Sequence, residues 1–334
     1  MKGKESPSLL CFGGAFTILF ALILMAIEYR LLGKTGLRVS SLGFGGSEVG
    51  YQAVAQKTVD KILNTALDAG INVIDTAECY ADGEALVGKA IRSRRSEVVL
   101  MTKCGHARLE AASARASGFA DNDWEPAMLA RSIERSLKNL GTDHVDVMQF
   151  HSPPMATLKD GRVIEVIHKA RERGQARFVG CSTDSDEAVY AVESGAFDTL
   201  QISVSIADQE AIDRVLPKAA ARGMGVIVKR PIANAAWRHG KQPPSDWYTR
   251  PYWDRLQKLD YDFLKRGGDD AAAVALRFTL GTPGVTTAIV GTTRAERIAQ
   301  NIAHAGAGAL APAEYEAIRA RWRAIAPADW IGQR

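Results

Sequence analysis

The sequence predicts an α/β protein of the (β/α)8 barrel class, with an N-terminal β-hairpin and one extra C-terminal helix. Eight short apolar runs recur along the chain, and a stretch with helical spacing follows each of them. Most of the apolar runs end in a polar side chain. An open dinucleotide-binding sheet would need a G-x-G-x-x-G segment after its first strand, and the GFGGSEVG segment at 43–50 lacks that spacing.

The predicted elements alternate along the chain. Residues 28–32 and 37–39 are expected to form a hairpin around the turn at 33–36. The predicted strands are 42–44, 71–74, 98–101, 145–150, 177–181, 199–202, 225–228 and 287–290. The predicted helices are 57–69, 83–93, 126–140, 158–173, 185–194, 209–222, a pair at 252–265 and 271–280, 295–304, and the extra helix at 312–325. No low-complexity linker divides the chain, so residues 28–334 are expected to form one barrel.

The amino terminus departs from this pattern. Residues 9–27 are apolar apart from Thr17, and a run of this length can span a bilayer. No small-residue cleavage site follows the run cleanly, which argues against a signal peptide. Residues 1–27 are therefore interpreted either as a membrane anchor or as the product of a mis-called start, with Met25 as the true first residue. The second interpretation is favoured and places the protein in the cytoplasm.

The composition is typical of a folded protein with a mild excess of positive charge. Hydrophobic residues make up 46% and charged residues 24% of the chain, and the net charge is +4. Lysine and arginine do not cluster in a run with interleaved aromatic residues, so nucleic acid is not an expected partner.

The four cysteines form no C-x-x-C pair and fit no disulfide framework, which favours a reducing compartment. Cys79, Cys104 and Cys181 fall near the strand ends and are interpreted as small apolar filling. A metal cluster of these cysteines with His106 or His151 is the disfavoured alternative, because no pair of ligands has the spacing of a zinc site.

Polar side chains close six of the predicted strands. Barrel strands are buried on both faces, so these residues together predict a polar rim at the carboxyl end of the barrel, where barrel enzymes carry out their chemistry. In strand order they are Asp75, Lys103, His151, Ser182, Gln201 with Ser203, and Lys229 with Arg230.

Asp75, Tyr80 and Lys103 belong to one strand–helix–strand unit and are expected to meet at this rim. The Lys103 ammonium is expected to lower the pKa of the Tyr80 phenol, while Asp75 holds Lys103 charged and oriented. Tyr80 can then protonate an oxygen on which negative charge develops, and His151 can donate a hydrogen bond to the same oxygen. Because the sequence contains no nucleophile motif, a hydride from a bound cofactor is the expected partner of this acid.

These residues resemble the pattern of the aldo-keto reductases. The resemblance covers residues 29–304 and includes the hairpin YRLLGKTGLRVSSLGFGG, the D-T-A-x-x-Y segment and the strand-four segment FHSPP. The family's catalytic aspartate, tyrosine, lysine and histidine fall on Asp75, Tyr80, Lys103 and His151. The resemblance implies a (β/α)8 (TIM) barrel that binds NADPH, or alternatively NADH, and reduces aldehydes or ketones to alcohols by hydride transfer.

The resemblance also implies positions that bind the cofactor. Ser182 and Thr183 correspond to the pair that holds the nicotinamide amide, and Gln201 corresponds to the family's glutamine at the same ring. Gly45 and Gly46 would let the backbone approach the cofactor closely. After the last strand, GTTRAERIAQN resembles the family's 2′-phosphate loop at a helix N-terminus. The positions implied there are Gly291, Thr292, Arg294, Arg297 and Asn301.

The sequence departs from the family pattern at two places. Gly291 stands where a lysine is common, and Arg294 is expected to supply the missing charge. Lys229 stands where an aromatic residue often stacks on the nicotinamide. Lys229 and Arg230 are expected to reach the pyrophosphate or an acidic substrate instead.

Two alternatives to a reductase are left open. A cofactor-binding regulatory subunit resembling the potassium-channel β subunits would have little turnover, and His151 argues against it because those regulators tend to carry another residue there. A lyase or isomerase using Lys103 as a Schiff base is the weaker alternative, because a lysine paired with a carboxylate stays charged and is a poor nucleophile. Residues 105–123 are a candidate lid or substrate loop. The sequence does not indicate the substrate or the oligomeric state.

Overall fold

The computed structural model describes residues 27–106, 124–266 and 268–333. The predictions for residues 1–26 and for most of the candidate loop at 105–123 therefore lie outside the described residues. Within the three described ranges, no helix has both the length and the apolar character needed to cross a bilayer.

The predicted hairpin is present and precedes the barrel. It consists of β1 (Tyr29–Leu31) and β2 (Arg38–Ser40), which pair antiparallel around a short 3-10 helix at Gly33–Thr35.

Eight parallel strands follow the hairpin and close into a barrel, which confirms the predicted fold class. Each strand pairs with the next one along the chain, and the last strand closes the barrel against the first. The strands are β3 (Leu42–Gly45), β4 (Val73–Asp75), β5 (Val99–Cys104), β6 (Val145–His151), β7 (Ala176–Ser182), β8 (Thr199–Ser203), β9 (Gly225–Lys229) and β10 (Thr287–Gly291).

Helices alternate with these strands and surround the barrel. Short 3-10 helices also occur at Arg92–Glu97 and Ala233–His239. The α-helices are α1 (Ser47–Tyr51), α2 (Gln56–Asp68), α3 (Gly83–Ile91), α4 (Pro126–Leu140), α5 (Met155–Lys159), α6 (Gly161–Glu172), α7 (Ser185–Ser194), α8 (Glu210–Arg214), α9 (Leu216–Arg222), α10 (Arg250–Leu259), α11 (Asp262–Lys265), α12 (Gly268–Gly281), α13 (Glu296–Gly306) and α14 (Pro312–Ile325).

Three of the predicted helices are divided in the structure. The segment 252–265 breaks at Asp260, whose φ of 44° lies in the left-handed region. The segment 209–222 breaks at Val215, because Pro217 has no N–H to donate and its ring clashes with the preceding turn. The segment 158–173 breaks at Asp160, whose carboxylate accepts a hydrogen bond from the Arg162 backbone N–H at 2.9 Å and caps α6. The sequence analysis did not predict α1, which has only five residues.

The hairpin closes the amino end of the barrel. Leu32, Leu37 and Val39 form one buried cluster with strand residues that include Val73 and Ile227. A separate and larger apolar cluster contains residues of the strands and of the surrounding helices. Apolar side chains therefore fill the amino end of the barrel. The polar residues that end the strands lie at the opposite, carboxyl end.

Leu32→Ala is expected to lower the free energy of unfolding by about 2–5 kcal/mol, because Leu32 is fully buried in the closing cluster. Leu31→Ala is the matched control, since the side chain of Leu31 is 66% exposed and its truncation should change stability by less than about 0.5 kcal/mol. Urea denaturation followed by circular dichroism measures both values. Equal losses in the two variants would contradict the assigned role of the hairpin.

Candidate active site

The polar residues predicted at the strand ends lie together at the carboxyl end of the barrel. Asp75 at the end of β4 is paired with Gly45 at the end of β3. His151 at the end of β6 is paired with Ser182, and Ser182 with Gln201 on β8. Parallel pairing with this alignment brings side chains that are far apart in the sequence to one rim.

Lys103 and Asp75 form a buried ion pair at the centre of this rim. Lys103 Nζ lies 2.5 Å from Asp75 Oδ2 and also donates to the Thr76 carbonyl oxygen at 3.0 Å. Both side chains are at most 2% exposed. Burying two charges costs free energy that is recovered only when their geometry is good and further hydrogen bonds satisfy the remaining polar atoms.

Two glutamines supply these further hydrogen bonds. The second carboxylate oxygen of Asp75 accepts from Gln149 Nε2 at 3.1 Å and from Gln201 Nε2 at 2.9 Å. Gln201 Oε1 in turn accepts from Ser182 Oγ at 2.9 Å. In this structure Gln201 therefore positions the Asp75 carboxylate. The sequence analysis missed Gln149, and the only signal was a polar side chain inside the apolar run VDVMQFH.

Tyr80 lies in the loop after β4 and is half-buried. Lys103 Nζ is 5.1 Å from the centre of the Tyr80 ring, and the Tyr51 ring meets it edge-on at 5.2 Å. Gly50 on α1 is needed for this placement, because a Cβ at that position would collide with the carbonyl oxygen of Tyr80.

The expected lowering of the Tyr80 pKa is wrong. Burial raises the pKa of Tyr80 well above its usual value, and the negative charge of Asp75 raises it further. The positive charge of Lys103 does not reverse this, because the Asp75 carboxylate is 2.5 Å from the ammonium and offsets its field. Tyr80 is therefore a protonated phenol at neutral pH, which is the form that a general acid requires.

His151 ends β6 beside Tyr80. The centres of the two rings are 5.7 Å apart and the rings meet edge-on, while the His106 ring stacks on the His151 ring with centres 4.4 Å apart. His151 Nδ1 is 3.3 Å from Cys79 Sγ. Burial lowers the pKa of His151 well below its usual value, and the charges of neighbouring groups, His106 and Lys103 first among them, lower it further. The imidazole is therefore neutral at pH 7.

Lys229 and Arg230, predicted to reach an anionic ligand, are bound within the chain. Lys229 Nζ lies 2.9 Å from Asp184 Oδ2, and burial lowers the pKa of Lys229. Arg230 donates from Nε to the Tyr248 hydroxyl at 2.8 Å and from Nη1 to the carbonyl oxygen of Gln333 at 2.6 Å. An anion at this position would have to compete with Asp184 and with the C-terminal segment.

The predicted phosphate loop joins β10 to α13. Thr292 Oγ1 accepts from the Arg294 backbone N–H at 3.1 Å, and the Arg294 side chain is exposed. A Cβ on Gly291 would collide with the Glu48 carboxylate, so Glu48 occupies the space that a side chain at position 291 would take. Burial raises the pKa of Glu48. Arg297 lies in the first turn of α13 and Asn301 lies one turn further along it.

The residues at the ends of β3 and β7 fit a nicotinamide cofactor. Among the described residues, the buried hydroxyl of Thr183 has no hydrogen-bond partner, so it is available to an amide. The Gly46 backbone N–H donates to the Asp75 carbonyl oxygen at 2.8 Å, and a Cβ on Gly46 would be only 3.0 Å from that oxygen. Glycine at position 46 therefore lets the chain pass close to the strand end that carries Asp75.

Comparison with known proteins identifies the family. The sequence profile of the Aldo/keto reductase family matches residues 41–323. The chain belongs to this family. L-galactose dehydrogenase of Arabidopsis thaliana is 27% identical over 293 residues, which are 83% of this chain and 88% of that protein. A probable voltage-gated potassium channel subunit beta of the same plant is 26% identical over 306 residues, 83% of this chain and 90% of that protein.

Solved structures agree with this assignment at the level of the fold. An aldo-keto reductase from Bacillus halodurans in its holo form superposes with a TM-score of 0.76 at 24% identity, covering 91% of this chain and 99% of that one. The family profile, rather than this likeness in fold, makes the chain an oxidoreductase of the aldo/keto reductase family, whose members generally use NAD(P)H. The four side chains that carry the family resemblance, those of Asp75, Tyr80, Lys103 and His151, lie side by side in the structure.

Asp75→Asn is expected to lower the free energy of unfolding by about 3–5 kcal/mol, because it leaves the Lys103 ammonium buried without its counter-charge. The double variant Asp75→Asn/Lys103→Met is the control and should be less destabilised than Asp75→Asn alone, since it removes both charges. Urea denaturation measures both. A double variant at least as unstable as Asp75→Asn would contradict the assigned coupling.

Proposed function

We propose that this member of the aldo/keto reductase family reduces aldehydes or ketones to alcohols with NADPH, and that Tyr80 is the general acid. The observation that carries this proposal is the closeness of the Tyr80 ring to two groups: its centre is 5.1 Å from the Lys103 ammonium and 5.7 Å from the centre of the His151 imidazole. The coenzyme, when bound, supplies a hydride to the carbonyl carbon. A proton must reach the carbonyl oxygen in the same reaction, and the chain's own residues supply it.

Tyr80 provides this proton. Its raised pKa keeps the phenol protonated until negative charge develops on the carbonyl oxygen. The Lys103 ammonium, 5.1 Å from the ring centre, attracts the tyrosinate that forms, while the paired Asp75 carboxylate weakens this attraction and leaves the phenol a weak acid. Asp75 and the two glutamines bound to it keep the ammonium in this position.

His151 orients the carbonyl group. A neutral imidazole carries one N–H, and this N–H can donate a hydrogen bond to the carbonyl oxygen without adding a charge to the site. The lowered pKa of His151 keeps the imidazole in this form over the physiological range. The Trp124 ring meets Phe150, the residue before His151, edge-on with centres 5.6 Å apart. This packing holds the end of β6 in place.

The phosphate loop supports NADPH as the coenzyme. The backbone N–H groups at the start of α13 attract an anion, and Arg294 and Arg297 add positive charge there. Glu48 beside Gly291 opposes this attraction, although burial raises the pKa of Glu48 and so disfavours its charged form. Titration of intrinsic fluorescence with NADPH and then with NADH tests the preference. Tighter binding of NADH would reassign the coenzyme and leave the proposed acid unaffected.

Tyr80→Phe is expected to lower kcat for carbonyl reduction by about 10²–10⁴-fold, because the proton donor is removed. Coenzyme affinity, measured by fluorescence titration, should change little. Tyr315→Phe is the matched control, since this tyrosine stacks on Phe278 of α12, outside the site. Wild-type rates in Tyr80→Phe would remove Tyr80 from the mechanism.

The rate of carbonyl reduction is expected to be independent of pH from about pH 6 to pH 9. A general acid loses rate about tenfold per pH unit above its own pKa. Because burial places the Tyr80 pKa well above 10, this loss should begin only beyond the tested range. Steady-state kcat/KM at saturating coenzyme measures the profile. A tenfold fall per unit starting between pH 7 and pH 8 would show that the Tyr80 pKa is lowered instead.

A coenzyme-binding regulatory subunit is the second candidate function. The likeness to a probable voltage-gated potassium channel subunit beta favours it. This candidate predicts that the chain binds the coenzyme but oxidises it very slowly with every aldehyde and ketone tested. The reductase proposal predicts coenzyme oxidation that depends on both the carbonyl substrate and Tyr80.

A further inference from the structure

The thiol of Cys79 lies directly beside the imidazole of His151. Cys79 is in the loop after β4 and is only 1% exposed, and its Sγ is 3.3 Å from His151 Nδ1. A thiol is both a weak hydrogen-bond donor and a weak acceptor, and this separation allows a hydrogen bond between the two side chains. Cys79 therefore contacts the residue that orients the substrate carbonyl in the proposed function.

The residues on either side of Cys79 hold its backbone in place. The carboxylate of Glu78 is buried and accepts a hydrogen bond from Arg135 Nε of α4 at 2.5 Å. The Tyr80 backbone N–H donates to the Ala77 carbonyl oxygen at 3.1 Å. The loop is thus anchored on both sides of the cysteine, and it fixes where the thiol lies relative to the strand ends.

Two aromatic neighbours hold the ring of His151. The His106 ring stacks on it with centres 4.4 Å apart and an angle of 22° between the planes, and the Tyr80 ring meets it edge-on with centres 5.7 Å apart. Because a stacked ring keeps its plane, the edge that carries Nδ1 stays turned towards Cys79. The other ring nitrogen, Nε2, lies elsewhere on the ring edge and is separated from Nδ1 by one carbon atom.

The protonation states of the two groups favour one direction for their hydrogen bond. Burial raises the pKa of Cys79 to about 12, so the sulfur keeps its proton at neutral pH. Burial lowers the pKa of His151, so its ring carries a single proton, and one nitrogen is a donor while the other is an acceptor. Because an imidazole nitrogen accepts more strongly than a thiol sulfur, donation from S–H to Nδ1 is favoured over donation from Nδ1–H to sulfur.

Tyr51 favours the same direction. Burial raises the pKa of Tyr51, and its interaction with Cys79 raises this pKa further, so the hydroxyl stays protonated beside the sulfur. A protonated hydroxyl can donate a hydrogen bond to the sulfur. With the sulfur accepting from Tyr51, the thiol proton is directed to His151.

We propose that Cys79 is a positioning residue that sets the tautomer of His151, because its thiol donates to Nδ1 and leaves the ring proton on Nε2. Which nitrogen of a neutral histidine carries the proton is set by the hydrogen bond that the other nitrogen makes. The role in catalysis rests on the proposed function, in which the His151 N–H donates to the carbonyl oxygen. In the opposite tautomer Nε2 would present a lone pair to that oxygen and repel it.

NMR spectroscopy and steady-state kinetics of the purified full-length protein test this role. Long-range ¹H–¹⁵N correlation spectra distinguish the two tautomers of a neutral histidine, and the His151 signals are those that a His151→Gln variant lacks. The test variants are Cys79→Ala, which removes the donor, and Cys79→Ser, which keeps one. The matched control is Cys181→Ala, because Cys181 is also buried but packs in the apolar cluster of strands and helices.

The wild type, Cys181→Ala and Cys79→Ser are expected to show the Nε2–H tautomer of His151, and Cys79→Ala is expected to show a mixture of both tautomers. In Cys79→Ala, kcat/KM for carbonyl reduction should fall about 3–10-fold, the effect of one ordinary hydrogen bond, while coenzyme affinity stays unchanged. Cys79→Ser should recover most of this loss.

The Nδ1–H tautomer in the wild type would overturn the proposal, and this result needs no variant to fold. An unchanged tautomer or an unchanged kcat/KM in Cys79→Ala would overturn it as well, and so would a Cys79→Ser variant as slow as Cys79→Ala. The NMR measurement uses no turnover. A wrong tautomer and a failure of the proposed reductase function are therefore separate results.

Discussion

The buried ion pair between Lys103 and Asp75 is the interaction on which the site depends. Neither charge can stay in the barrel alone, because an unpaired buried charge costs several kcal/mol. Both oxygens of the carboxylate are used, one by the ammonium and the other by Gln149 and Gln201. The pair therefore has one geometry, and this geometry fixes the distance from the ammonium to the Tyr80 ring.

The barrel makes this pair possible by bringing adjacent strands together in a set alignment. Asp75 ends β4, Lys103 lies on β5, and the two glutamines lie on β6 and β8, so four strands contribute to one network. The hairpin fills the opposite end with apolar side chains, which leaves the carboxyl end for the polar ones. Burial at this end of the barrel raises the pKa of Tyr80 and lowers the pKa of His151.

The sequence was sufficient to predict the barrel, the hairpin and the convergence of Asp75, Lys103 and His151, because alternating elements and polar strand ends are local patterns. It could not predict that the pKa of Tyr80 is raised. The packing of Tyr51 against Tyr80 and the pairing of Lys103 with Asp75 are visible only in three dimensions. Other contacts could not be predicted from the sequence for the same reason. They join residues from distant segments, as with Glu48 against Gly291 and Arg230 against Gln333.

The central claim is that this site joins a coenzyme hydride to a carbonyl carbon while the protein supplies the proton. The most direct measurement uses NADPH carrying deuterium at the transferred position of the nicotinamide, an aldehyde substrate in ordinary water, and mass spectrometry of the alcohol. The account predicts one deuterium on the carbon that was the carbonyl and none on any other carbon. An alcohol without deuterium, or coenzyme that is never consumed with any carbonyl compound, would contradict it.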